Sequence, residues 1–300
     1  MDGSRCICGP NTVKKLEKIE AYLKAFLNAF KNLDWAHTVY FDAFAGRGQV
    51  PLASQKLTLP LDEEDRALII GSVGRALTLD QKFDEYIFVE KNRNKARELE
   101  QRLKAEHWGL FSRISIKTSD ANDALQSFCQ LQNWHARRAV VFLDPFGSQV
   151  SWNTLKALAA TKGVDLWYLF PAGLSVHRQI GRDGTVHYTH EASLDRLFGT
   201  AEWRQAFIDE EVAAPDLFGV SQTHTAKTAT AESVTRFMIQ RMGTIFEGGV
   251  LDEWLSLGSG NVHMYSLLFA CANPSPPANK LALKLARAVL RSGKSHGRAK

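Results

Sequence analysis

The chain has 300 residues, of which 45% are hydrophobic and 23% are charged, a composition typical of a folded globular protein rather than a disordered one. It contains no run of about 18 apolar residues that would predict a transmembrane helix, and its four scattered cysteines are too few for a disulfide framework. No basic segment followed by an apolar run marks a secretory signal, so the cytoplasm is the expected compartment.

The formal net charge of +5 is concentrated at the C-terminus. Residues 280–300 hold seven cations and no acids, so residues 1–279, with 30 cations and 32 anions, have a net charge of −2. A tail of one sign is typical of proteins that bind a polyanion, most often nucleic acid. We expect Arg291, Lys294 and Arg298 to contact it, and a solubilising end is the alternative.

Residues 12–33 predict an amphipathic helix, because apolar residues recur there at spacings of three and four. Five β-rich runs follow, separated by helix-forming segments, at residues 38–44, 85–90, 113–117, 138–143 and 164–170. Strands that alternate with helices predict parallel βαβ units. The last two runs are continuously apolar, as is typical of parallel strands covered on both faces. We therefore assign residues 38–174 to one α/β core.

The pattern changes after Pro171. Residues 175–245 predict a helical cap or insertion, with short helices, a loop rich in Ala, Thr and Ser, and a longer helix around residues 231–242. Residues 246–290 return to two strands and a final helix, and residues 291–300 form the basic tail. The whole chain, residues 1–300, is expected to form a single large α/β domain.

The segment Phe41–Gly48 (FDAFAGRG) is the strongest functional motif. Glycines at the carboxyl end of a first strand let the backbone approach a ligand closely, and open α/β sheets bind ligands at that edge. A dinucleotide fingerprint would require Gly or Ala where Pro51 stands. An acidic residue at the strand end suits instead the cationic methionine portion of S-adenosylmethionine. The residues expected to line this cofactor site are Asp42, Ala43, Phe44, Gly46 and Gly48.

Acidic residues also follow the second and third strands. A carboxylate at Glu90 can accept hydrogen bonds from both ribose hydroxyls, and a solvated acid at a helix start is the alternative. Asp120, followed by Ala121, either accepts the adenine amino group or caps the next helix. Their order behind FDAFAGRG favours cofactor roles for Glu90, Asp120 and Ala121.

The turn Asp144-Pro145-Phe146 follows the fourth strand. An exocyclic amine is a poor nucleophile, because its lone pair is delocalised into the ring. The Asp144 carboxylate and the Pro145 carbonyl can accept its two hydrogens and aim the lone pair at a methyl donor. Phe146 can stack on an extruded base. A structural Asp-Pro turn that opens the next helix is the alternative.

Four segments, FDAFAGRG, FVEKN, TSDAND and FLDPFG, resemble in order the motifs of class I S-adenosylmethionine-dependent methyltransferases. Over roughly residues 14–290 the chain also resembles the bacterial three-Cys-motif partner protein family, through KLEKIEAYLKAF, FLDPFG, DLWYLFPAGL and YSLLFA. The resemblance implies a mostly parallel, Rossmann-like seven-stranded sheet with helices on both faces, an N-terminal helix and a helical insertion. It also implies a partner protein with three cysteines, similar to a radical S-adenosylmethionine enzyme.

The DPFG turn is similar to that of tRNA guanine-N2 methyltransferases. It departs from the D-P-P-Y form of DNA amino-methyltransferases, because Phe146 replaces the second proline. The resemblance therefore implies methylation of an exocyclic base amine, in RNA ahead of DNA. The alternative is an accessory protein that keeps the fold and acts by binding the three-cysteine partner in a mobile-element or defence-type system.

Other polar clusters indicate less. Cys6 and Cys8 lack the second cysteine pair of a zinc ribbon, and His177, His187 and His190 match no standard ligand spacing, so no metal site is predicted. The histidine segment is expected to face the target instead. Within it, Arg178 is expected to contact a phosphate, with an ordinary surface cation as the alternative.

Overall fold

The computed structural model describes residues 10–48, 71–130, 133–212, 223–259 and 262–292. Cys6, Cys8, the segment around Pro51, and the tail residues Lys294 and Arg298 lie outside them. The strands of the main sheet and of a separate hairpin are β1 (His37–Asp42), β2 (Glu85–Val89), β3 (Ile114–Lys117), β4 (Arg137–Leu143), β5 (Val164–Phe170), β6 (Ile208–Val212), β7 (Thr223–Lys227), β8 (Leu255–Ser259) and β9 (Val262–Cys271).

The main sheet has seven strands in the order β3-β2-β1-β4-β5-β9-β8. Strands β1 to β5 pair in parallel, and β9 lies antiparallel between β5 and β8. This is the class I methyltransferase arrangement, so the predicted fold class is confirmed. The strand bounds inferred from the sequence are within two residues of those in the structure. The runs at β4 and β5 are continuously apolar because these strands are buried on both faces.

Helices cover both faces of the sheet. Their bounds are α1 (Pro10–Phe30), α2 (Ser72–Leu77), α3 (Arg93–Glu106), α4 (Ala121–Cys129), α5 (Trp152–Ala160), α6 (His177–Gln179), α7 (Tyr188–Phe198), α8 (Trp203–Phe207), α9 (Ala231–Gly243) and α10 (Pro276–Arg291). One core cluster joins α1, α2, α3 and α10 to the sheet, and the other joins α4, α5, α7, α8 and α9 to it. In the described part of the chain, no helix is long and apolar enough to cross a bilayer.

The region 175–245 contains helices, as its sequence predicts, and also an antiparallel pair of strands. Strands β6 and β7 form an antiparallel hairpin, part of it where a loop was expected. Their pairing depends on a partner strand that composition alone does not reveal. Helices α7, α8 and α9 bury Leu197, Trp203 and Met238 in the same core cluster as β4 and β5. The region is therefore built into the sheet's hydrophobic core.

Gly199 anchors this region to α5. It follows α7 in the left-handed conformation, with φ of 67°, and its N–H donates to the Asp195 carbonyl at 2.8 Å. A Cβ there would lie 2.0 Å from Cδ1 of Trp152. The indole of Trp152 is buried and in turn stacks under the Arg241 guanidinium at 4.9 Å. Only glycine allows α5 and α7 to approach this closely.

We expect Gly199→Ala to lower the free energy of unfolding by about 2–4 kcal/mol, because it adds left-handed strain and a clash with Trp152. The matched control is Gly243→Ala at the end of α9, where a Cβ meets nothing within 4 Å. That control should be neutral or stabilising, since alanine favours helix. Urea unfolding of both variants measures the difference. Equal stabilities would show that α7 does not depend on this contact.

Candidate active site

Four predicted site residues meet at the carboxyl edge of the sheet, since β3, β2, β1 and β4 are neighbours. Asp42 ends β1, and Glu90 and Asp144 directly follow β2 and β4. Asp120 follows β3 and precedes α4. Backbone hydrogen bonds continue the pairing past the strand ends: the Ala43 N–H donates to Phe142, and the Glu90 N–H to Lys117. The edge therefore presents four carboxylates around the first turn.

The Asp42 carboxylate is fully buried and bound by the protein's own donors. Oδ1 accepts the Phe44 N–H at 3.0 Å, and Oδ2 accepts the hydroxyl of Ser72, at the start of α2, at 2.5 Å. Burial raises the pKa of Asp42 to about 6, although these two hydrogen bonds lower it and the nearby Asp144 raises it further. Asp42 thus organises the turn that follows β1 and ties it to α2.

The two predicted cofactor glycines have different surroundings. Both are left-handed, with φ of 58° at Gly46 and 69° at Gly48. A Cβ on Gly48 would lie 2.7 Å from Leu99 and closer still to Arg102, so this glycine allows α3 to pack against the turn. Among the described residues, none would lie within 4 Å of a Cβ on Gly46. The described part of the chain therefore leaves space beside Gly46, where a ligand can approach the backbone.

The carboxylate of Glu90 is half-buried and partly available. Its Oε1 accepts the N–H of Asn92, the residue that caps α3, at 2.7 Å. Among the described residues, nothing donates to its Oε2. Glu90 therefore combines a fixed orientation with one unused oxygen at the end of β2.

Asp120 caps α4 and pairs with a lysine. Its Oδ1 accepts the Asn122 N–H at 2.9 Å, and Lys91 reaches Oδ2 at 3.1 Å. Burial acts to raise the pKa of Asp120, but these donors together bring it below its usual value. The capping role that the sequence left open is thus present, and Ala121 is buried as the first residue of α4. Any adenine contact at Oδ2 would compete with Lys91.

Asp144 forms an ion pair with Lys15 of α1, with 2.5 Å between Nζ and Oδ2. The Lys15 side chain is 10% exposed and that of Asp144 is 32% exposed. The ammonium also lies 5.9 Å from the centre of the Phe142 ring. Sequence reasoning missed Lys15, because it is one of several lysines away from the apolar stripe of α1. Only the docking of α1 on the sheet distinguishes it from its neighbours.

Hydrogen bonds from the segment after β5 and from α4 hold the loop that follows Asp144. Ser148 shares a hydrogen bond with Ser175 at 2.8 Å and accepts another from Gln179 at 2.9 Å, so the segment after β5 clamps the loop. Asn122 donates to the Gln149 carbonyl at 2.9 Å and connects the loop to α4. These polar residues were not among the predicted site residues.

Pro145 is buried by the loop, while the side chain of Phe146 is 72% exposed. The Phe146 N–H donates to the Gln149 side chain at 2.9 Å, which fixes the backbone beneath the ring. An exposed aromatic ring on a fixed backbone, next to a partly exposed carboxylate, can receive a planar group. Asp144, Pro145 and Phe146 are thus brought together as the sequence predicts, and their catalytic role stays a prediction.

The predicted phosphate contacts are spread over the surface. Arg178 is exposed on α6 and, among the described residues, has no acidic partner. Arg291, by contrast, has an acidic partner, because its Nε donates to the Glu253 carboxylate at 2.8 Å. Lys18 lies one helical turn after Lys15 on α1, and its ammonium contacts the backbone and hydroxyl oxygens of Ser292. The end of α10 therefore packs against this part of α1. Residue 292, after which the basic tail continues, therefore lies on the same side as Asp144.

The histidines of the region 175–245 have local roles. His187 caps α7 and stacks on Tyr188, with 4.4 Å between ring centres. His177 is half-buried, and burial lowers its pKa. Across the ranges that the structure describes, no three His, Cys, Asp or Glu side chains are grouped to hold a metal ion.

No protein-family model and no curated protein matches this chain. Among solved structures, protein LPL1258 from Legionella pneumophila is similar at 13% identity over 95% of each chain, with a TM-score of 0.52. The glycopeptide N-methyltransferase MtfA, complexed with S-adenosylmethionine, is similar at 14% identity over 82% of this chain and 86% of its own, with a TM-score of 0.35.

At these identities the comparisons bear on the fold alone. The chain has a class I methyltransferase-like fold. The resemblance of its sequence to three-Cys-motif partner proteins stays a prediction, as do the cofactor and the substrate.

Because Asp42 is buried, we expect the free energy of unfolding to fall as its carboxyl group ionises. Its pKa of about 6 in the folded chain exceeds the value of about 3.9 in an unfolded chain, so the folded state holds its proton more tightly. The contribution of this tighter proton binding to the free energy of unfolding is fully present below about pH 4, and it is lost as the pH rises to about 6. We expect Asp42→Asn to become more stable relative to wild type across that window, by up to about 3 kcal/mol.

Chemical denaturation at several pH values measures this difference, with Asp252→Asn, at a carboxylate whose side chain is 84% exposed, as the control for the substitution. A difference between Asp42→Asn and wild type that stays constant from pH 4 to pH 7 would contradict the prediction.

Proposed function

We propose that this protein transfers a methyl group from S-adenosylmethionine to an exocyclic amine of a nucleic-acid base, in RNA ahead of DNA. The observation that carries the proposal is the turn Asp144-Pro145-Phe146 at the carboxyl edge. There a partly exposed carboxylate and an exposed aromatic ring stand on a rigidly held loop. The turn follows β4, which pairs directly with β1, the strand that leads into the glycine turn.

The residues around the first turn fit the proposed cofactor. Open space beside Gly46 leaves room for a ligand against the backbone of Ala43 to Gly46, and the unused Oε2 of Glu90 can accept a ribose hydroxyl. Asp42 supports this surface from below through Phe44 and Ser72, and adds negative charge that favours a cation. When bound, S-adenosylmethionine supplies an electrophilic methyl group on a sulfonium.

Lys15 gives Asp144 a defined orientation. One carboxylate oxygen pairs with the lysine, and the other is left to accept a hydrogen from the target amine. In this role Asp144 and the Pro145 carbonyl orient the amine and polarise its N–H bonds, while Phe146 stacks on the base.

One described cation and the basic sequence of the tail support a nucleic-acid target. Arg178 is exposed without an acidic partner among the described residues. Lys294 and Arg298 follow α10 in the sequence and lie outside the described residues. Arg291 would have to leave Glu253 to contact a phosphate. We therefore assign it a smaller share of the binding than Lys294 and Arg298. A three-cysteine partner protein, as the sequence resemblance implies, remains part of the proposal.

Glu90→Ala tests the cofactor site. We expect it to weaken S-adenosylmethionine binding roughly tenfold to several-hundredfold, because hydrogen bonds to a charged group are worth about 1.5–3 kcal/mol each. Isothermal titration calorimetry measures the affinity. The control is Glu98→Ala on α3, which removes only the exposed pair with Arg47. Unchanged affinity in a folded Glu90 variant would remove Glu90 from the site.

Asp144→Ala separates chemistry from cofactor binding. We expect cofactor affinity to change by only a few-fold and the single-turnover rate to fall by about 10²–10³, since one preorganised polar group is lost. Lys15→Met should cause a smaller loss of rate, because it disturbs only the orientation of Asp144. Lys14→Met, at the exposed neighbouring position, is the matched control and should behave as wild type.

The assay uses labelled S-adenosylmethionine with RNA and with DNA, followed by mass spectrometry of the nucleosides. A new N-methylated nucleoside that disappears with Asp144→Ala supports the proposal. A wild-type rate in Asp144→Ala would leave the turn a purely structural feature. Cofactor binding without methylation of either nucleic acid would favour an accessory protein in which Lys15 keeps Asp144 occupied.

A further inference from the structure

A cavity of about 410 Å³ lies at the opposite edge of the sheet, between the C-terminal half of α1 and the N-terminal half of α10. Its walls are mostly apolar and include Phe26, Phe30, Trp35 and Leu281. Arg138 also lines it, with its guanidinium 4.9 Å from the centre of the Trp35 ring. Trp35 and Leu281 are about half exposed, so the cavity opens to solvent. Its volume lies in the range of small-molecule sites.

The carboxylate of Asp165 also lines this cavity, at the start of β5. The Tyr22 hydroxyl donates to its Oδ2 at 2.7 Å, and Cys271 of β9 is its cross-strand neighbour. Arg138 of β4 is the nearest cation, but its guanidinium donates to the backbone carbonyls of the preceding loop, among them that of Trp134 at 2.7 Å. Among the described residues, no cation lies within 4 Å of Asp165.

Asp165 is therefore a carboxylate in apolar surroundings. The neutral donors around it satisfy only part of its hydrogen-bonding capacity. Burial raises its pKa to about 6, and the hydrogen bond from Tyr22, the neighbouring Cys271 thiol and the charge of Arg138 only partly oppose this. Near neutral pH the group still carries a charge at the base of an aromatic cavity. An uncompensated buried charge is costly, and a cation that pairs with it recovers part of that cost.

We propose that this cavity binds a small organic ammonium ion, a protonated primary amine on an apolar chain or ring. The ammonium pairs with Asp165, and the apolar part lies against Phe26, Phe30 and Leu281. The faces of the aromatic rings attract the ammonium group. Burial against the apolar walls favours the apolar part of the ligand. An anion would be repelled by Asp165, and a neutral apolar ligand would leave the carboxylate without a cation.

This site is separate from the proposed methyltransferase site. Asp165 begins β5 and Pro171 follows its end, so roughly 20 Å of strand separates the cavity from the carboxyl edge. Binding there neither requires nor excludes methyl transfer. The following experiment gives its answer whether or not the protein methylates nucleic acid.

Three probes of one shape and different charge test the proposal: phenethylamine, phenethyl alcohol and phenylacetate. We expect titration calorimetry of the full chain at pH 7.5 to give binding of the amine roughly tenfold to a hundredfold tighter than that of the alcohol. Phenylacetate should bind more weakly than the alcohol. Equal affinities for amine and alcohol, or no binding of the amine, would overturn the proposal.

Two sets of variants locate the binding. Asp165→Asn keeps the shape and should abolish the preference for the amine over the alcohol. Leu281→Lys places a cation at the exposed cavity mouth and should weaken the amine selectively, whereas Leu281→Gln, its matched control, should affect both ligands alike. The Leu281 pair decides the question if Asp165→Asn does not fold. An amine preference that survives in Leu281→Lys contradicts the assignment.

A lysine side chain of another protein has the same terminal chemistry as the free amine. A blocked lysine peptide is therefore titrated alongside the three probes. Binding of the peptide without binding of the amine would overturn the small-molecule site in favour of a protein contact.

Discussion

Parallel pairing of β1 with both β2 and β4 is the constraint on which the candidate site depends. Parallel strands run in one direction, so their carboxyl ends meet at a common edge, and the residues that follow them are forced together. Asp42, Glu90 and Asp144 are far apart in the chain and become neighbours for this reason alone.

Charges at that edge are arranged in two layers. Asp42 lies below, buried and satisfied by Phe44 and Ser72, and it shapes the turn beside Gly46. Asp144 lies nearer the surface and is held by Lys15. In the function that we propose, the lower carboxylate supports the cofactor surface and the upper one meets the acceptor. The same proposal gives Asp42 a supporting role and assigns direct cofactor binding to Glu90.

The first helix links the two ends of the molecule. Lys15 of α1 contacts Asp144 at the carboxyl edge, while Tyr22, two turns later, contacts Asp165 near the opposite edge. Both lie on the face of α1 that packs on the sheet, so one docked helix positions a polar group at each carboxylate. The same helix lines the cavity through Phe26 and Phe30 and meets α10 near Ser292. Its docking thus determines both the candidate active site and the proposed ammonium site.

The sequence by itself determined the strands and the edge residues, because continuous apolar runs and strand-end motifs are local patterns. It did not reveal Lys15, since the four lysines of α1 look alike in the sequence until the helix is docked. It also did not show that Gly46 borders open space while Gly48 packs on α3, because both satisfy the same turn. The β6–β7 hairpin and the cavity at Asp165 were decided only by tertiary structure. Each depends on segments distant in the chain, whose contacts arise when the sheet and its covering helices assemble.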